Sequence, residues 1–410
     1  MLSSRVLARI ASIFGIIASL VAPAHSKAQG APKVPADLFP APTGRYAIGV
    51  FDTLWIDAAR PERLTKDTSD TRRVPVRVWY PARATGAPFA PYVLRPEEFA
   101  AESPIHGATH VTTHAVLHAP VAAGAERFPV LLYNHGGGWS RFAATFEFEE
   151  LASRGYVIVS VDHLGFDQST SMSDGYTFKG DTLGFPVPTN VDLRQDALAS
   201  WDYLEQVLFP MWIADAQFAL DRVELLDRDG ASPLKGRLDL GRIGAFGWSF
   251  GGAAAVDLAI RDARIKAAVD QDGQLFGLGR VRGAARPVML MHGGGDPKRG
   301  VPAEQHGIVD DQMKTVEAWD AKFRAAATGV VYDLRIARTE HGNFSDLPLF
   351  FPRDSAALEP ARAHAIITAY TVAFFDQHLR GVRAPLLDAP SPAFPEVTFV
   401  RGGGARGARR

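Results

Sequence analysis

The 410-residue chain contains no cysteine. Disulfide bonds, thiolate metal sites, a cysteine nucleophile and lipid attachment to an N-terminal cysteine are therefore excluded. The chain also lacks an excess of either charge, because 44 lysine and arginine residues stand against 45 aspartate and glutamate residues. A net charge of −1 gives no electrostatic footprint for nucleic-acid binding. With 47% hydrophobic and 22% charged residues, the composition is that of a folded globular protein.

Long hydrophobic runs are scarce, and the one near the N-terminus is typical of a signal peptide. Two arginines precede an apolar run over residues 10–21, which is shorter than the roughly 20 residues that span a bilayer. Small residues follow up to Ala28, and Ala24 is a second candidate for the cleavage site. We therefore expect a signal peptide over residues 1–28 and export to the periplasm or the medium of a bacterium. An uncleaved N-terminal anchor is the alternative.

The rest of the chain divides into a linker, one large domain and a tail. Residues 29–44 are rich in proline, alanine and glycine and predict a linker. Residues 45–385 alternate short apolar runs with helical patterns, which predicts an α/β fold with a mostly parallel central sheet and helices on both faces. Residues 386–410 are predicted to form a C-terminal tail. The clearest helical patterns cover residues 142–153, 191–208, 251–260, 312–327 and 361–379.

Residues 247–251 read Gly-Trp-Ser-Phe-Gly, which matches the pattern G-x-S-x-G between a predicted strand and an alanine-rich helix. In this context a sharp turn strains the serine backbone and exposes its hydroxyl as a nucleophile. Gly247 and Gly251 are required because neighbouring backbone approaches closely at such a turn. The alternative, a glycine-rich phosphate-binding turn, lacks the Lys-Ser or Lys-Thr pair of a P-loop. We therefore predict that Ser249 is a nucleophile.

A serine hydroxyl is a poor nucleophile without a base, so a histidine and an acid are expected nearby. His341 lies in a polar loop after the last predicted strand of the domain, where the chain order serine, acid, histidine places the base. The pattern leaves the acid open among Asp270, Asp272 and Asp296, because each follows a predicted strand. In a parallel sheet these strand ends meet at one edge, where ligands bind.

A glycine turn of sequence His-Gly-Gly-Gly follows an early predicted strand at residues 135–138. Such a turn can present a backbone N–H to the oxyanion of a tetrahedral intermediate. The N–H of Phe250, directly after the predicted nucleophile, is the second expected donor. A plain tight turn is the alternative reading of these glycines.

Four histidines recur at every fourth position, at His106, His110, His114 and His118. On a helix they would line one face and could bind zinc or nickel. The intervening valines and threonines favour a strand instead, and no carboxylate completes an obvious site. We therefore expect a strand or loop with solvated histidines, with no metal and no cofactor.

These motifs resemble those of a known family, the platelet-activating factor acetylhydrolases of the plasma and type II intracellular kind, which are α/β-hydrolases. The resemblance covers most of residues 45–380. It is carried by two opening strands, the glycine turn, the helix and strand after it, the serine turn and the histidine loop, at residues 46–52, 76–81, 129–138, 151–163, 247–252 and 341–346.

The resemblance implies the α/β-hydrolase fold and an esterase that acts through an acyl-enzyme. Residues 264–276 match the stretch that holds the acid in the family, which favours Asp272 and assigns the oxyanion N–H groups to Gly137 and Phe250. The family often has a bulkier residue where Gly137 stands. Asp296 occupies the acid position of polyester hydrolases, cutinase-like enzymes and dienelactone hydrolases, which keeps it as the alternative.

The family implies a substrate class as well as a mechanism. Short or oxidised sn-2 acyl groups of phospholipids, including the acetyl group of platelet-activating factor, are the expected substrates, with transient contact to a lipid surface. The alternatives are a general carboxylesterase or polyester or dienelactone hydrolase on non-lipid esters, and a catalytically silent α/β-hydrolase that serves as a binding module. The sequence leaves the oligomeric state open.

Overall fold

The computed structural model describes the greater part of the chain between Leu38 and Gly403. The predicted signal peptide, residues 29–37 of the predicted linker, His106 and the helical pattern over residues 191–202 lie outside the described residues. The described residues are 38–63, 65, 67–94, 108, 110–164, 170–171, 177–178, 203–350 and 356–403.

Ten strands of the described chain form the central sheet. In chain order they are β1 (Ala47–Pro61), β2 (Thr71–Ala82), β3 (Ala115–Leu117), β4 (Phe128–Asn134), β5 (Val157–Val161), β8 (Leu238–Trp248), β9 (Ile265–Gln271), β10 (Val288–Gly294), β11 (Val330–Ala337) and β12 (Val397–Gly403), while β6 (Thr170–Ser171) and β7 (Thr177–Phe178) pair separately. The order across the sheet is β12-β11-β10-β9-β8-β4-β5-β2-β1-β3. Across the six strands β11, β10, β9, β8, β4 and β5, which are adjacent in this order, every neighbouring pair is parallel. The predicted mostly parallel sheet is therefore confirmed.

Helices cover both faces of this sheet. The helices of the described residues are α1 (Thr145–Ser153), α2 (Phe209–Arg228), α3 (Phe250–Arg261), α4 (Gly277–Val281), α5 (His306–Ala326), α6 (Leu347–Phe350) and α7 (Pro360–Arg380). A π-helical turn, Leu204–Leu208, leads into α2, and a 3₁₀ turn, His341–Phe344, follows β11. In the described part of the chain, none of these helices has the length and hydrophobicity of a transmembrane segment.

The central strands read as continuous apolar runs because both of their faces are buried. All seven residues of β4 are buried, and their side chains alternate between two hydrophobic cores. Leu131 and Tyr133 enter the core that α1 and α7 cover, whereas Val130 and Leu132 enter the core that α2 and α3 cover. A parallel strand enclosed in this way has no polar face to show in its sequence.

Both ends of the domain are built differently from the expected linker and tail. Thr43 donates from its N–H and its hydroxyl to Glu150 in α1, at 2.7 and 2.6 Å, so the described part of the linker is anchored to the domain. Strand β12 lies inside the predicted tail and pairs antiparallel with β11. Val397 is buried and Val400 is exposed, but the glycines and arginines of this segment mask the strand pattern in the sequence. Part of the predicted tail is therefore an edge strand.

Candidate active site

Ser249 lies at the turn between β8 and α3 with a left-handed backbone, φ 57° and ψ −123°. A side chain in this region is strained, and the strain persists only where surrounding structure holds it. A Cβ on Gly251 would collide with the carbonyl of Asn134, and a Cβ on Gly247 would collide with Gly251 itself. The N–H of Ser249 donates to the carbonyl of Gln271 at 2.9 Å. Strands β4 and β9 thus hold the strained turn from both sides.

Three predicted side chains meet at this turn. His341 Nε2 lies 3.0 Å from Ser249 Oγ, and His341 Nδ1 lies 2.7 Å from Asp272 Oδ2. The carboxylate accepts from Nδ1–H, which leaves Nε2 free to accept the serine proton. The indole N–H of Trp248 donates to the carbonyl of His341 at 2.9 Å, so the residue before the serine also holds the histidine loop. The arrangement has the geometry of a nucleophile, a general base and an orienting acid.

The carboxyl group of Asp272 is held on its second oxygen as well. Asp272 Oδ1 accepts from the N–H of Gly293 in β10 at 2.7 Å. Its own N–H donates to the carbonyl of Met291 at 2.7 Å, and its φ is 58°. Burial raises the pKa of Asp272, but the hydrogen bond and charge of His341 lower it further, so the pKa lies below its ordinary value. The group is therefore a carboxylate at neutral pH.

The two other candidate acids are placed elsewhere. Asp270 is buried, and its Oδ1 accepts from the N–H of Gly273 at 2.8 Å. Burial raises the pKa of Asp270 well above its ordinary value. Asp296 is exposed, and its Oδ1 accepts from the N–H of Lys298 at 2.9 Å. His341 Nδ1 contacts Asp272 instead, so the geometry favours Asp272 as the acid.

The glycine turn after β4 packs directly against the serine turn. Asn134 at the end of β4 lies opposite Gly247 at the end of β8 in the parallel register. A Cβ on Gly136 would lie 2.6 Å from the Trp248 ring, so only glycine fits there. Gly137 follows, half-buried. These contacts bring the turn that holds one predicted oxyanion donor beside the turn that holds the other.

Phe250, the second predicted donor residue, is the first residue of α3. The first N–H groups of a helix have no intrahelical acceptor. The dipole of α3 also favours negative charge at this end. The position is therefore suited to a developing oxyanion, and the role of both N–H groups remains a prediction.

A buried carboxyl group that the sequence patterns did not single out lies behind the serine turn. Glu147 in α1 accepts from Gln271 Nε2 at 3.1 and 2.9 Å. Burial raises the pKa of Glu147 to about 7. Because the carbonyl of Gln271 holds the N–H of Ser249, Glu147 supports the turn through one residue. The signal in the sequence was an acidic residue between Phe146 and Phe148 on a helix.

Asp346 ties the histidine loop to α1. Its carboxyl group accepts from the N–H groups of Thr145 and Phe146 at 2.9 and 3.2 Å, and from the hydroxyl of Tyr92 at 3.0 Å. Burial raises the pKa of Asp346 well above its ordinary value. Asp346 belongs to the loop motif that resembles the family, but the motif alone gave it no role. It fixes the loop that carries His341.

Two of the regularly spaced histidines, His114 and His118, have separate surroundings. His114 Nδ1 lies 2.9 Å from Glu149 Oε2, so this ring is paired with a buried carboxylate and is not simply solvated. His118 has a φ of 53° and stacks on Phe51 with ring centroids 6.4 Å apart. Among the described residues, which leave out His106, no three potential ligands are grouped to hold a metal ion.

Fold and site geometry together define the class. The protein is an α/β-hydrolase in which a serine hydroxyl lies within hydrogen-bond distance of a histidine ring, and that ring of an aspartate carboxylate. Residues 34–183, which include the glycine turn, match the sequence model of a family described as "Platelet-activating factor acetylhydrolase, isoform II". The chain is similar to this family over that segment, and the resemblance expected from the motifs is confirmed for those that lie within it.

Two curated relatives carry corresponding names. "Probable 1-alkyl-2-acetylglycerophosphocholine esterase" of Arthroderma benhamiae is 24% identical over 290 residues, 66% of this chain and 66% of that protein. "Platelet-activating factor acetylhydrolase" of Bos taurus is 26% identical over 189 residues, 41% of this chain and 40% of that protein. The chain therefore spans less than two thirds of the length of these relatives.

A solved structure is similar over a larger share of the chain. The structure titled "Ferulic acid esterase from Streptomyces cinnamoneus" superimposes with a TM-score of 0.70 and 29% sequence identity. The superposition covers 89% of this chain and 100% of that one. It extends past the 34–183 segment to the part of the chain that holds Ser249, Asp272 and His341.

Exchange of the acid tests the assignment of Asp272. We expect Asp272→Asn to lower kcat for an ester substrate roughly 10³- to 10⁴-fold, because the amide no longer stabilises the imidazolium and favours the wrong tautomer. Asp296→Asn is the matched control and should leave kcat within about threefold of the unchanged protein, since an exposed group is removed. A larger loss in Asp296→Asn than in Asp272→Asn would transfer the role to Asp296. The measurement is steady-state hydrolysis of an aryl ester.

Glu147 makes stability depend on pH in a predictable direction. Because its folded pKa of about 7 lies above the ordinary value of 4.5, the folded state binds more protons in this window and stability falls as the pH rises. Glu147→Gln removes this loss. Its unfolding free energy relative to the unchanged protein should therefore rise by about 2–3 kcal/mol between pH 4.5 and pH 8. Urea unfolding at both pH values measures the change.

Glu150→Gln on the same helix is the control of opposite sign. Burial opposes ionisation of Glu150, but hydrogen bonds from Thr43 and Arg154 outweigh it and lower the pKa. Removal of this carboxylate should therefore cost stability at neutral pH and less at pH 4. A relative stability of Glu147→Gln that stays constant with pH would contradict the raised pKa of Glu147.

Proposed function

We propose that the protein is a serine esterase that hydrolyses carboxylic esters through an acyl-enzyme. The observation that carries the proposal is the continuous path from Ser249 Oγ through His341 to Asp272, with atoms 3.0 and 2.7 Å apart. The strained backbone of Ser249 supports it, because this turn exposes the hydroxyl at the carboxyl edge of the sheet.

In the first half of the proposed reaction, Ser249 Oγ attacks the ester carbonyl while His341 Nε2 accepts the hydroxyl proton. Asp272 stabilises the resulting imidazolium. The N–H groups of Gly137 and Phe250 donate to the oxyanion of the tetrahedral intermediate. The intermediate collapses as His341 returns the proton to the leaving alkoxide. The alcohol departs and the acyl group stays on Ser249.

In the second half, water replaces the alcohol. His341 accepts a proton from water as the water oxygen attacks the acyl carbon. The second tetrahedral intermediate uses the same two N–H donors. Its collapse breaks the bond to Ser249 Oγ, which regains its proton from His341, and the carboxylic acid leaves. The residues of the chain and water supply every proton in this scheme.

For the substrate we propose short acyl or oxidised sn-2 acyl groups of phospholipids, bound with transient contact to a lipid surface. The family match over residues 34–183 and the two relatives named for acetyl-ester hydrolysis support this class. The second candidate is a non-lipid ester of an aromatic acid. It is supported by the ferulic acid esterase, which is similar over 89% of this chain.

We also propose that residues 1–28 direct export and are then removed, which places the enzyme in the periplasm or the medium. The basic start, the short apolar run and the small residues before position 29 support this. N-terminal sequencing of the protein recovered from outside the cytoplasm should read from Gln29, or from His25 if cleavage follows Ala24. An intact Met1 on a membrane-bound protein would favour the anchor instead.

A substrate panel tests the function. The mature protein is offered 2-acetyl and 2-palmitoyl phosphatidylcholine analogues, methyl ferulate and an aryl acetate, with Ser249→Ala in parallel. We expect faster release of acetate than of palmitate from the phospholipids. We expect Ser249→Ala to lose at least about 10³-fold of each activity, since the nucleophile is absent.

The other outcomes of the panel are informative. A preference for methyl ferulate, lost in Ser249→Ala, would move the substrate to non-lipid esters and keep the mechanism. Hydrolysis that survives Ser249→Ala would contradict the mechanism itself. A folded protein that turns over none of the four esters and fails to react with a fluorophosphonate at Ser249 would indicate a binding module.

A further inference from the structure

The peptide unit between Gly136 and Gly137 carries one of the two proposed oxyanion donors. His135 Nδ1 lies 2.7 Å from the carbonyl oxygen of Gly136, at the other end of the same peptide. The C=O and N–H of a trans peptide point in opposite directions because the unit is planar. A hydrogen bond that holds the carbonyl of Gly136 therefore fixes the direction of the Gly137 N–H.

A backbone group decides which ring nitrogen of His135 carries the proton. The N–H of His163 donates to His135 Nε2 at 3.0 Å. With Nε2 as an acceptor, a neutral ring carries its proton on Nδ1 and donates it to the Gly136 carbonyl. Burial, together with the charge of His163, lowers the pKa of His135 to about 3, so the ring remains neutral near pH 7.

The residue that supplies this backbone N–H is itself held on several sides. In the ring of His163, Nε2 is 3.0 Å from Asn134 Oδ1, and Nδ1 is 3.2 Å from Asp215 Oδ2. It stacks on Trp212 with centroids 4.1 Å apart and an interplanar angle of 14°. Arg72 holds Asp215 with two hydrogen bonds of 3.0 and 2.6 Å. All five residues are fully or almost fully buried.

We infer that His135 is a positioning residue for ester hydrolysis, which holds the peptide between Gly136 and Gly137 with its N–H directed at the oxyanion while His163 sets its tautomer. The inference rests on the proposed function, because it takes Gly137 as a donor. Trp139 N–H also donates to the Gly136 carbonyl, at 3.2 Å. Loss of the His135 donor therefore loosens the peptide and does not free it fully.

Two variants with amide side chains test the two hydrogen bonds of the His135 ring one at a time. In His135→Asn, Nδ2 takes the place of Nδ1 and keeps the donor to the Gly136 carbonyl, while the His163 N–H loses its acceptor. In His135→Gln, Oε1 reaches the place of Nε2 and keeps that acceptor, while the donor to Gly136 is lost. Each variant loses one of the two hydrogen bonds: the His163 N–H loses its acceptor in His135→Asn, and the Gly136 carbonyl keeps only Trp139 N–H in His135→Gln.

The decisive measurements are kcat and KM for an aryl acetate and Ki for an aryl trifluoromethyl ketone. The ketone adds to Ser249 Oγ and forms an oxyanion, so its Ki reports the donors directly. We expect His135→Gln to lower kcat by about 10- to 100-fold with KM unchanged, and to raise Ki by a similar factor. His135→Asn should stay within about threefold of the unchanged protein, and the kinetic pKa assigned to the base should stay the same in both.

His378→Gln is the control for exchange of a half-buried histidine ring. His378 Nε2 lies 3.1 Å from the hydroxyl of Tyr332, away from the serine turn, so its variant should keep all three constants. Equal kcat and Ki in His135→Gln and His135→Asn would overturn the inference. The inference would also be overturned if His135→Gln lost kcat only in proportion to a loss of Tm, with Ki unchanged.

The experiment also separates this inference from the proposed function. If Ser249→Ala retains ester hydrolysis, the proposed function fails, and the inference fails with it. If Ser249→Ala is inactive and His135→Gln matches the unchanged protein, only the role of His135 is lost. A fall in kcat and a rise in Ki in His135→Gln, both restored in His135→Asn, supports both.

Discussion

The left-handed backbone at Ser249 is the constraint on which the site depends. A serine at φ 57° is unfavourable by itself, so neighbouring strands must hold it. The hydrogen bond from its N–H to Gln271 fastens it to β9, and the close approach of Gly251 to Asn134 fastens it to β4. These two strands flank β8 in the sheet, so the turn depends on contacts from both of its neighbours. The conformation of the proposed nucleophile therefore depends on three adjacent parallel strands.

The order of the strands explains how distant parts of the chain supply the rest of the site. Asp272 directly follows β9, and Gly293, which holds its second oxygen, lies in β10 next to it. His341 follows β11, one strand further along. Each residue stands at the carboxyl end of its strand, so parallel pairing brings the groups to one edge. Asp346 then ties the histidine loop to α1, which packs on the opposite face of the sheet from α3.

Local patterns predicted the parts of this arrangement that local structure determines. The turn around Ser249 and the continuous apolar strands follow from neighbouring residues, so the sequence predicts both. The pattern leaves the acid open among Asp270, Asp272 and Asp296, because each follows a predicted strand. Asp270 and Asp272, two positions apart, would share a face in a regular strand. The left-handed φ of 58° at Asp272 breaks that alternation and separates their surroundings. Strand β12 and the hydrogen bond from Gln271 to Glu147 depend on contacts between residues far apart in the chain, which periodicity does not reveal.

The carboxyl groups around the serine turn differ in charge, and this difference suits the proposed chemistry. Burial raises the pKa of Glu147, Asp270 and Asp346, whereas the pKa of Asp272 is lowered despite its burial. The imidazolium formed at His341 therefore faces Asp272 as its carboxylate. Further negative charges beside the turn would repel the oxyanion, since interactions between charges are strong where water is excluded. The same burial keeps His135 neutral, so its donor to Gly136 persists while charge develops at Ser249. Thus the carboxyl groups that support the turns have raised pKa values and the His135 ring is neutral, whereas Asp272 faces His341 as a carboxylate.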